Sequence, residues 1–231
     1  LSSMTRHELL IIMTVGMSTI AGSVMVVYTT MLFPIYGSGL IGHFLSASLI
    51  SVPAAIMYAN MMIPSNEKTD FPDEKSDDMY SSIMDAITQG TKNGLDIFLN
   101  VIAMLIVVMA LVFLVNSILG LLPNLNGNPI TLELMLGYLF APLAWFMGIP
   151  WNESIVAGQL LGVKTALNEF VAYLYLSDTE TYQLAEKSRM IMLYALCGFA
   201  NFSSVGILLS GLSAMVPERR ADLISVSGKA L

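Results

Sequence analysis

The chain has 231 residues, of which 55% are hydrophobic and only 12% charged, with a mean hydropathy of +0.72 and a net charge of −7. A soluble domain of this length carries about twice that share of charge, so the composition excludes an ordinary soluble fold, and the negative balance argues against a nucleic-acid partner. The single cysteine, Cys197, excludes an internal disulfide framework and any cysteine-rich metal site.

The charge is unevenly spread. Asp, Glu, Lys and Arg are absent from residues 9–66, 97–132 and 190–217. A spanning helix needs roughly 20 mostly apolar residues, so the first gap holds two spans and each of the others one. The 17 methionines fit adaptable packing and require no redox or metal role. No signal-peptide pattern opens the chain, because its first apolar run is too long for an h-region. The sequence reads as a piece of a longer membrane protein, with segments lacking at both ends.

In chain order, residues 1–64 hold two spanning helices. The first, 9–33, is interrupted near 16–23, where Gly, Ser and Thr cluster; Pro34 and Gly37-Ser38-Gly39 then make a turn. The second, 40–63, carries Pro53, which predicts a kink. Residues 65–96 form a cytoplasmic acidic loop, with six acids and two lysines in 65–80. An interfacial helix follows at 81–96, with Ile83, Met84, Ile87 and Leu95 on its apolar side. Residues 97–130 contain a long unbroken span, 97–122, and a turn at 123–128. Residues 131–149 are expected as an extracytoplasmic surface helix, with Tyr138 and Trp145 as interfacial aromatics.

Residues 150–178 change the pattern. The stretch 151–176 is mostly apolar yet carries Glu153, Lys164 and Asn168-Glu169. A polar tip in the middle suits a re-entrant hairpin of two half-helices, because irregular backbone at membrane depth must face protein or a water-filled cavity. Residues 179–216 hold a polar loop and a further span, 190–215, interrupted at 198–204. Residues 217–231 are expected as a basic cytoplasmic loop. The predicted fold is therefore all-α: a polytopic integral membrane protein with a re-entrant helical hairpin and two broken spanning helices in inverted repeats. A cytoplasmic N-terminus places Arg6, Lys68, Lys75, Lys92, Arg219, Arg220 and Lys229 inside, with Lys187 and Arg189 outside. That arrangement satisfies the positive-inside rule.

The two interrupted spans resemble each other. Residues 16–22, Gly-Met-Ser-Thr-Ile-Ala-Gly, align with 198–204, Gly-Phe-Ala-Asn-Phe-Ser-Ser, and each follows an arginine, Arg6 or Arg189, nine or ten residues back. Broken helices at matched places in inverted repeats point to a transporter's substrate site. The same small residues also suit close helix packing.

Glu169 is the sharpest candidate. A carboxylate at the centre of a membrane segment costs roughly 2.5–3.5 kcal/mol on insertion scales, and such residues are usually functional. It can accept hydrogen bonds from a hydroxyl-rich substrate, carry a proton or hold Na⁺; its structural alternative is an ion pair with Lys164. Asn201 and Ser204 flank a helix break and are read either as ligand-binding or as helix–helix hydrogen-bonding groups. Thr19 lies at the matching break, where its hydroxyl suits a hard cation, or bonds back into its own helix. Phe199 either stacks on a flat ring or packs. Glu153 and Lys164 are assigned to hairpin structure, His43 to packing, and Cys197 to a small buried position. Enzyme signals are lacking. There is no metal-ligand spacing and no phosphate loop of the Walker type. Met17-Ser18-Thr19 has no partner histidine, and no aspartate pair lies in the spans.

Residues 162–173, Gly-Val-Lys-Thr-Ala-Leu-Asn-Glu-Phe-Val-Ala-Tyr, resemble the signature of the concentrative nucleoside transporter family: Gly-x-Lys, three variable residues, then Asn-Glu-Phe-Val-Ala. Gly148–Glu153 is similar to the start of that family's second hairpin. Residues 197–204 are similar to its broken penultimate helix, and Thr19-Ile20-Ala21-Gly22 to its earlier broken helix. The resemblance implies a homotrimer of scaffold and transport domains that imports nucleosides of the uridine, cytidine or adenosine class by an elevator-type motion. It implies a multi-pass protein of the bacterial inner membrane, coupled to Na⁺ with H⁺ coupling as the alternative, without other cofactors, and with the lipid bilayer as its other partner. By carry-over, Glu169, Asn201 and Ser204 would bind ribose. Phe199 and Val24 would contact the base. Thr19, through its hydroxyl, and Ile20, through its carbonyl, would form part of a Na⁺ site; Thr19 stands where some sodium-coupled relatives have serine. The family's first hairpin would precede residue 1, and its last spanning helix would follow Leu231. Two other classes stand beside this reading: a non-transporting membrane nucleoside receptor or assembly subunit, and an intramembrane enzyme, which nothing in these residues supports.

Overall fold

A computed structural model of the chain describes residues 1–65, 81–124 and 129–231. The acidic loop expected at 65–80 lies almost wholly outside the described residues, as does most of the turn at 123–128. Among the described residues there are ten α-helices and no strand: α1 Arg6–Ser18, α2 Gly22–Tyr36, α3 Leu40–Met62, α4 Ile83–Leu119, α5 Leu132–Phe146, α6 Trp151–Ala166, α7 Glu169–Ser177, α8 Glu186–Leu196, α9 Phe202–Met215 and α10 Arg220–Ala230.

Local chemistry sets the helix ends. Thr5 starts α1 through a capping box: its hydroxyl accepts from the Glu8 N–H at 3.2 Å, and the Glu8 carboxylate accepts from the Thr5 N–H at 2.8 Å. The helix stops at Ser18, and Thr19 to Ala21 run extended before α2 begins. Gly37, at φ 70°, ends α2 in a conformation that only glycine adopts without strain. Pro53 lies inside α3 without ending it.

Two expectations are corrected. Residues 81–96 and 97–122 were expected as an interfacial helix and a separate span, but α4 is one helix of 37 residues. Gly90 and Gly94 each lower helix propensity by about 1 kcal/mol, well short of the break a proline imposes. At 1.5 Å per residue α4 is about 55 Å long, so it projects well beyond a ~30 Å hydrocarbon layer. Residues 217–231 were expected as a loop but form a 3₁₀ turn at Pro217–Arg219 and then α10. Leu223, Val226 and Ala230 recur at helical spacing and bury against Leu9, Leu10 and Met13 of α1. The Arg6 guanidinium donates to the Ser225 hydroxyl at 2.6 Å, tying the same two helices.

The closest helix contact joins α5 to α6, whose axes bend by 118° across the Met147–Pro150 connection. A Cβ on Gly158 would overlap the Gly137 carbonyl oxygen and lie 2.9 Å from the Ala141 nitrogen. The main chains touch there, as small residues allow in membrane helices. The helix expected at the surface is therefore braced along one side by the hairpin, while Met135, Leu139, Leu143 and Phe146 remain exposed on the other. The main core lies under the hairpin, where Tyr28, Leu32 and Phe44 meet Leu160, Tyr173, Leu176 and Leu193.

Gly158→Val is expected to lower stability by about 1–3 kcal/mol through overpacking. The check is the thermal unfolding midpoint of the purified full-length protein followed by tryptophan fluorescence. An unchanged midpoint would contradict the main-chain contact.

Candidate functional site

The hairpin tip is built by an asparagine acting as a cap. The backbone breaks at Leu167 and Asn168, and Asn168 Oδ1 accepts from the Val171 N–H at 3.0 Å to start α7. Glu169 is the first residue of that helix, so its carboxylate sits at the positive end of the helix dipole. It is buried, 6% exposed, yet both oxygens are engaged. Oε1 accepts from the Tyr28 hydroxyl of α2 at 3.2 Å, and Oε2 accepts from Nδ2 of Asn201 at 2.9 Å.

Asn201 performs two tasks with one side chain. Its Nδ2 donates to Glu169, while its Oδ1 accepts from the Ser204 N–H at 2.8 Å and from the Ser203 hydroxyl at 2.7 Å, capping α9. Ser204 lies one turn on. Its hydroxyl oxygen is fully buried and has no hydrogen-bond partner among the described residues. A buried polar atom left open in this way marks a place for a ligand or water. Phe199 is half-buried in the break between α8 and α9. Gly198, at φ 143°, presses its backbone against α1: a Cβ there would lie 3.0 Å from the Ser18 carbonyl oxygen. The two helix breaks singled out in the sequence therefore meet in space.

At the first break, Thr19 Oγ1 donates to the Val15 carbonyl at 3.2 Å. This is the back-bonded arrangement, and it leaves the hydroxyl's lone pairs free to face a cation. The carbonyls of Thr19 and Ile20 accept no hydrogen bond among the described residues. Oxygen-only donors of this kind fit a hard cation such as Na⁺. No group of three or more His, Cys, Asp or Glu among the described residues is placed to share a metal. Val24 and Ile20 are partly buried and pack on the core that holds Tyr28. Val24 and Tyr28, four residues apart, lie on one face of α2.

Other candidates take structural positions. Lys164 does not pair with Glu169; its ammonium donates to the Ala195 carbonyl at 2.9 Å, in the last turn of α8, where a cation complements the helix dipole. The hairpin break puts Lys164 and Glu169 on different helices. Glu153 accepts from the Ala185 N–H at 3.1 Å and so pins the base of the hairpin to the start of α8. In the loop beyond α7, hydrogen bonds from the Thr181 hydroxyl and N–H hold the Asp178 carboxyl below its usual range. His43 Nδ1 lies 2.8 Å from the Tyr194 hydroxyl, and Cys197 is buried. Tyr28 was not anticipated. Its sequence signal was slight: one tyrosine, four residues beyond Val24, in an otherwise apolar helix.

Interrupted helices and a helical hairpin that converge on a buried carboxylate mark the chain as part of a polytopic membrane protein. Residues 43–231 match the family model described as "Na+ dependent nucleoside transporter C-terminus". The chain belongs to the Na⁺-dependent nucleoside transporter family. It is 39% identical over its whole length to "Uncharacterized transporter YutK" of Bacillus subtilis, covering 57% of that protein. It is 36% identical over its whole length to "Nucleoside permease NupC" of Helicobacter pylori, covering 55% of it. It superposes on the structure of CNTnw in an inward-facing substrate-bound state with a TM-score of 0.82 at 35% identity, covering 99% of this chain and 54% of that one. The chain thus spans about half the length of these relatives, and they are transporters, not enzymes.

Asn168→Ala is expected to destabilise the hairpin tip by about 1 kcal/mol, the usual loss of an N-cap, whereas Asn168→Ser is expected to stay near wild type. Hydrogen exchange at the α7 amides measures the difference, and equal protection in both variants would remove the capping role.

Proposed function

We infer that the whole protein is a Na⁺-coupled nucleoside symporter that imports nucleosides of the uridine, cytidine or adenosine class. It works as a multi-pass homotrimer of the bacterial inner membrane, by an elevator-type movement of the domain that carries the hairpin. The observation that carries this reading is Glu169, buried at the tip of an Asn-Glu-Phe-Val-Ala hairpin with donors on both oxygens and the open Ser204 hydroxyl nearby.

The chemistry follows from the donor set. An ionised carboxylate is acceptor-only with about four lone-pair sites. Tyr28 and Asn201 engage one site on each oxygen, and the sites left open can accept the hydroxyls of a ribose. Hydrogen bonds to a charged group are worth about 1.5–3 kcal/mol each, enough to draw a polar sugar from water into a membrane cavity. Asn201 and Ser204 complete the ribose site. Phe199 and Val24 offer apolar surface to the base. Thr19, through its hydroxyl, and Ile20, through its carbonyl, supply part of a Na⁺ site at the end of α1. A bound cation there adds charge complementary to the carbonyl end of the helix.

The test is uptake of labelled uridine and adenosine by the full-length protein in proteoliposomes. Uptake is expected to require an inward Na⁺ gradient, and Glu169→Gln is expected to reduce it to near background. Uptake driven equally well by a pH gradient without Na⁺ would replace Na⁺ with H⁺. Binding without counterflow would replace the symporter with a receptor, and full activity in Glu169→Gln would remove the site.

A further inference from the structure

Tyr28 is the one contact of the buried carboxylate that comes from the first broken span. Its side chain is 1% exposed and is held by three rings: Tyr173 at 4.7 Å between centroids, Phe170 at 6.2 Å and Phe44 at 6.3 Å. Tyr173 is itself fixed, since its hydroxyl donates to the Leu193 carbonyl at 2.8 Å. The Tyr28 hydroxyl therefore occupies a set position, 3.2 Å from Oε1 of Glu169. On the other side Asn201, locked as the cap of α9, donates to Oε2. Gripped from α2 and from α9, with one donor on each oxygen, the carboxylate is held in one orientation. A carboxylate oriented in this way presents both oxygens to two adjacent hydroxyls.

Building on the nucleoside reading above, we propose that Tyr28 is a positioning residue that orients the Glu169 carboxylate toward a vicinal diol and so sets the preference for ribonucleosides over deoxynucleosides. It acts through Glu169 and has no need to touch the substrate.

The experiment measures KM and maximal rate for a ribonucleoside and for its 2′-deoxy and 3′-deoxy analogues, with the full-length protein in proteoliposomes. Tyr28→Phe keeps the ring and removes the hydroxyl. It is expected to raise the ribonucleoside KM roughly tenfold, the effect of one hydrogen bond to a charged group, at near wild-type maximal rate. The ratio of deoxy to ribo KM is expected to fall toward one. Tyr173→Phe, in the same ring cluster with its hydroxyl on a backbone carbonyl, is expected to leave that ratio intact. An unchanged ratio in Tyr28→Phe, whether or not the maximal rate falls, overturns the proposal. Should Tyr28→Phe fail to reach the membrane, Glu169→Asp, which draws the carboxylate back from Tyr28 but keeps its charge, must give the same collapsed ratio; an intact ratio there also overturns it. Glu169→Gln separates the two readings. Wild-type uptake in Glu169→Gln removes the ribose anchor itself, whereas loss of uptake there with a silent Tyr28→Phe removes only the role of Tyr28.

Discussion

A carboxylate inside an apolar membrane segment must be given hydrogen-bond donors by the protein, and meeting that requirement at Glu169 brings three otherwise separate helices to one point. The first contribution is local: Asn168 caps α7, and the helix N-terminus lies under the carboxylate. The second and third come from far along the chain, from Tyr28 on α2 and Asn201 at the start of α9. Each contributor is held by something else, Tyr28 by aromatic rings and Asn201 by its own capping bonds. Fixed dipoles at the tip replace the water that the carboxyl group would otherwise keep.

The two broken spans answer the same backbone problem in opposite ways. Aligned by sequence, Gly16 matches Gly198, yet Gly16 is inside α1, which runs on to Ser18, while α8 has already ended at Leu196. The first break is short, and α2 starts at Gly22 with no side-chain cap from Ala21. The oxygens at this break are the Thr19 hydroxyl and the carbonyls of Thr19 and Ile20, which accept no hydrogen bond among the described residues. The second break is longer; Asn201 caps α9 through Oδ1 and turns its Nδ2 donor to Glu169. One end suits a cation and the other an acceptor-rich partner, and Gly198 lets them touch because a side chain there would meet the Ser18 carbonyl.

Much of this was legible in the sequence because membrane helices carry few polar residues and each has a reason. Asn168-Glu169 marked the hairpin tip and the Gly/Ser/Thr clusters, with Asn201, the breaks; that both asparagines cap helices emerges only from the structure. The helix α10 was also written in the sequence, in the spacing of Leu223, Val226 and Ala230, but its basic residues drew attention to a loop instead. The continuity of α4 was hidden because a polar-to-apolar boundary was read as a structural one. Tyr28 carried only a slight signal in the sequence. A tyrosine in an apolar helix commonly anchors at an interface or packs, and only tertiary structure says that its hydroxyl meets a carboxylate 141 residues later. The fate of Lys164 depended on tertiary structure in the same way, since its partner is a main-chain carbonyl on another helix.

The position of Tyr28 has a consequence for coupling. It lies six residues into α2, about 9 Å along the axis from the break that holds Thr19 and Ile20. In the reading proposed above, a cation at the start of α2 would sit on the same helix that brings the Tyr28 hydroxyl to Oε1. Differential contacts of this kind are what allow one ligand to change the affinity for another. In the proposed cycle, cation binding at one break and substrate binding at the other share a single element with no hinge between them. The carboxylate then reads the state of both broken helices at once: of the first through Tyr28, and of the second through Asn201.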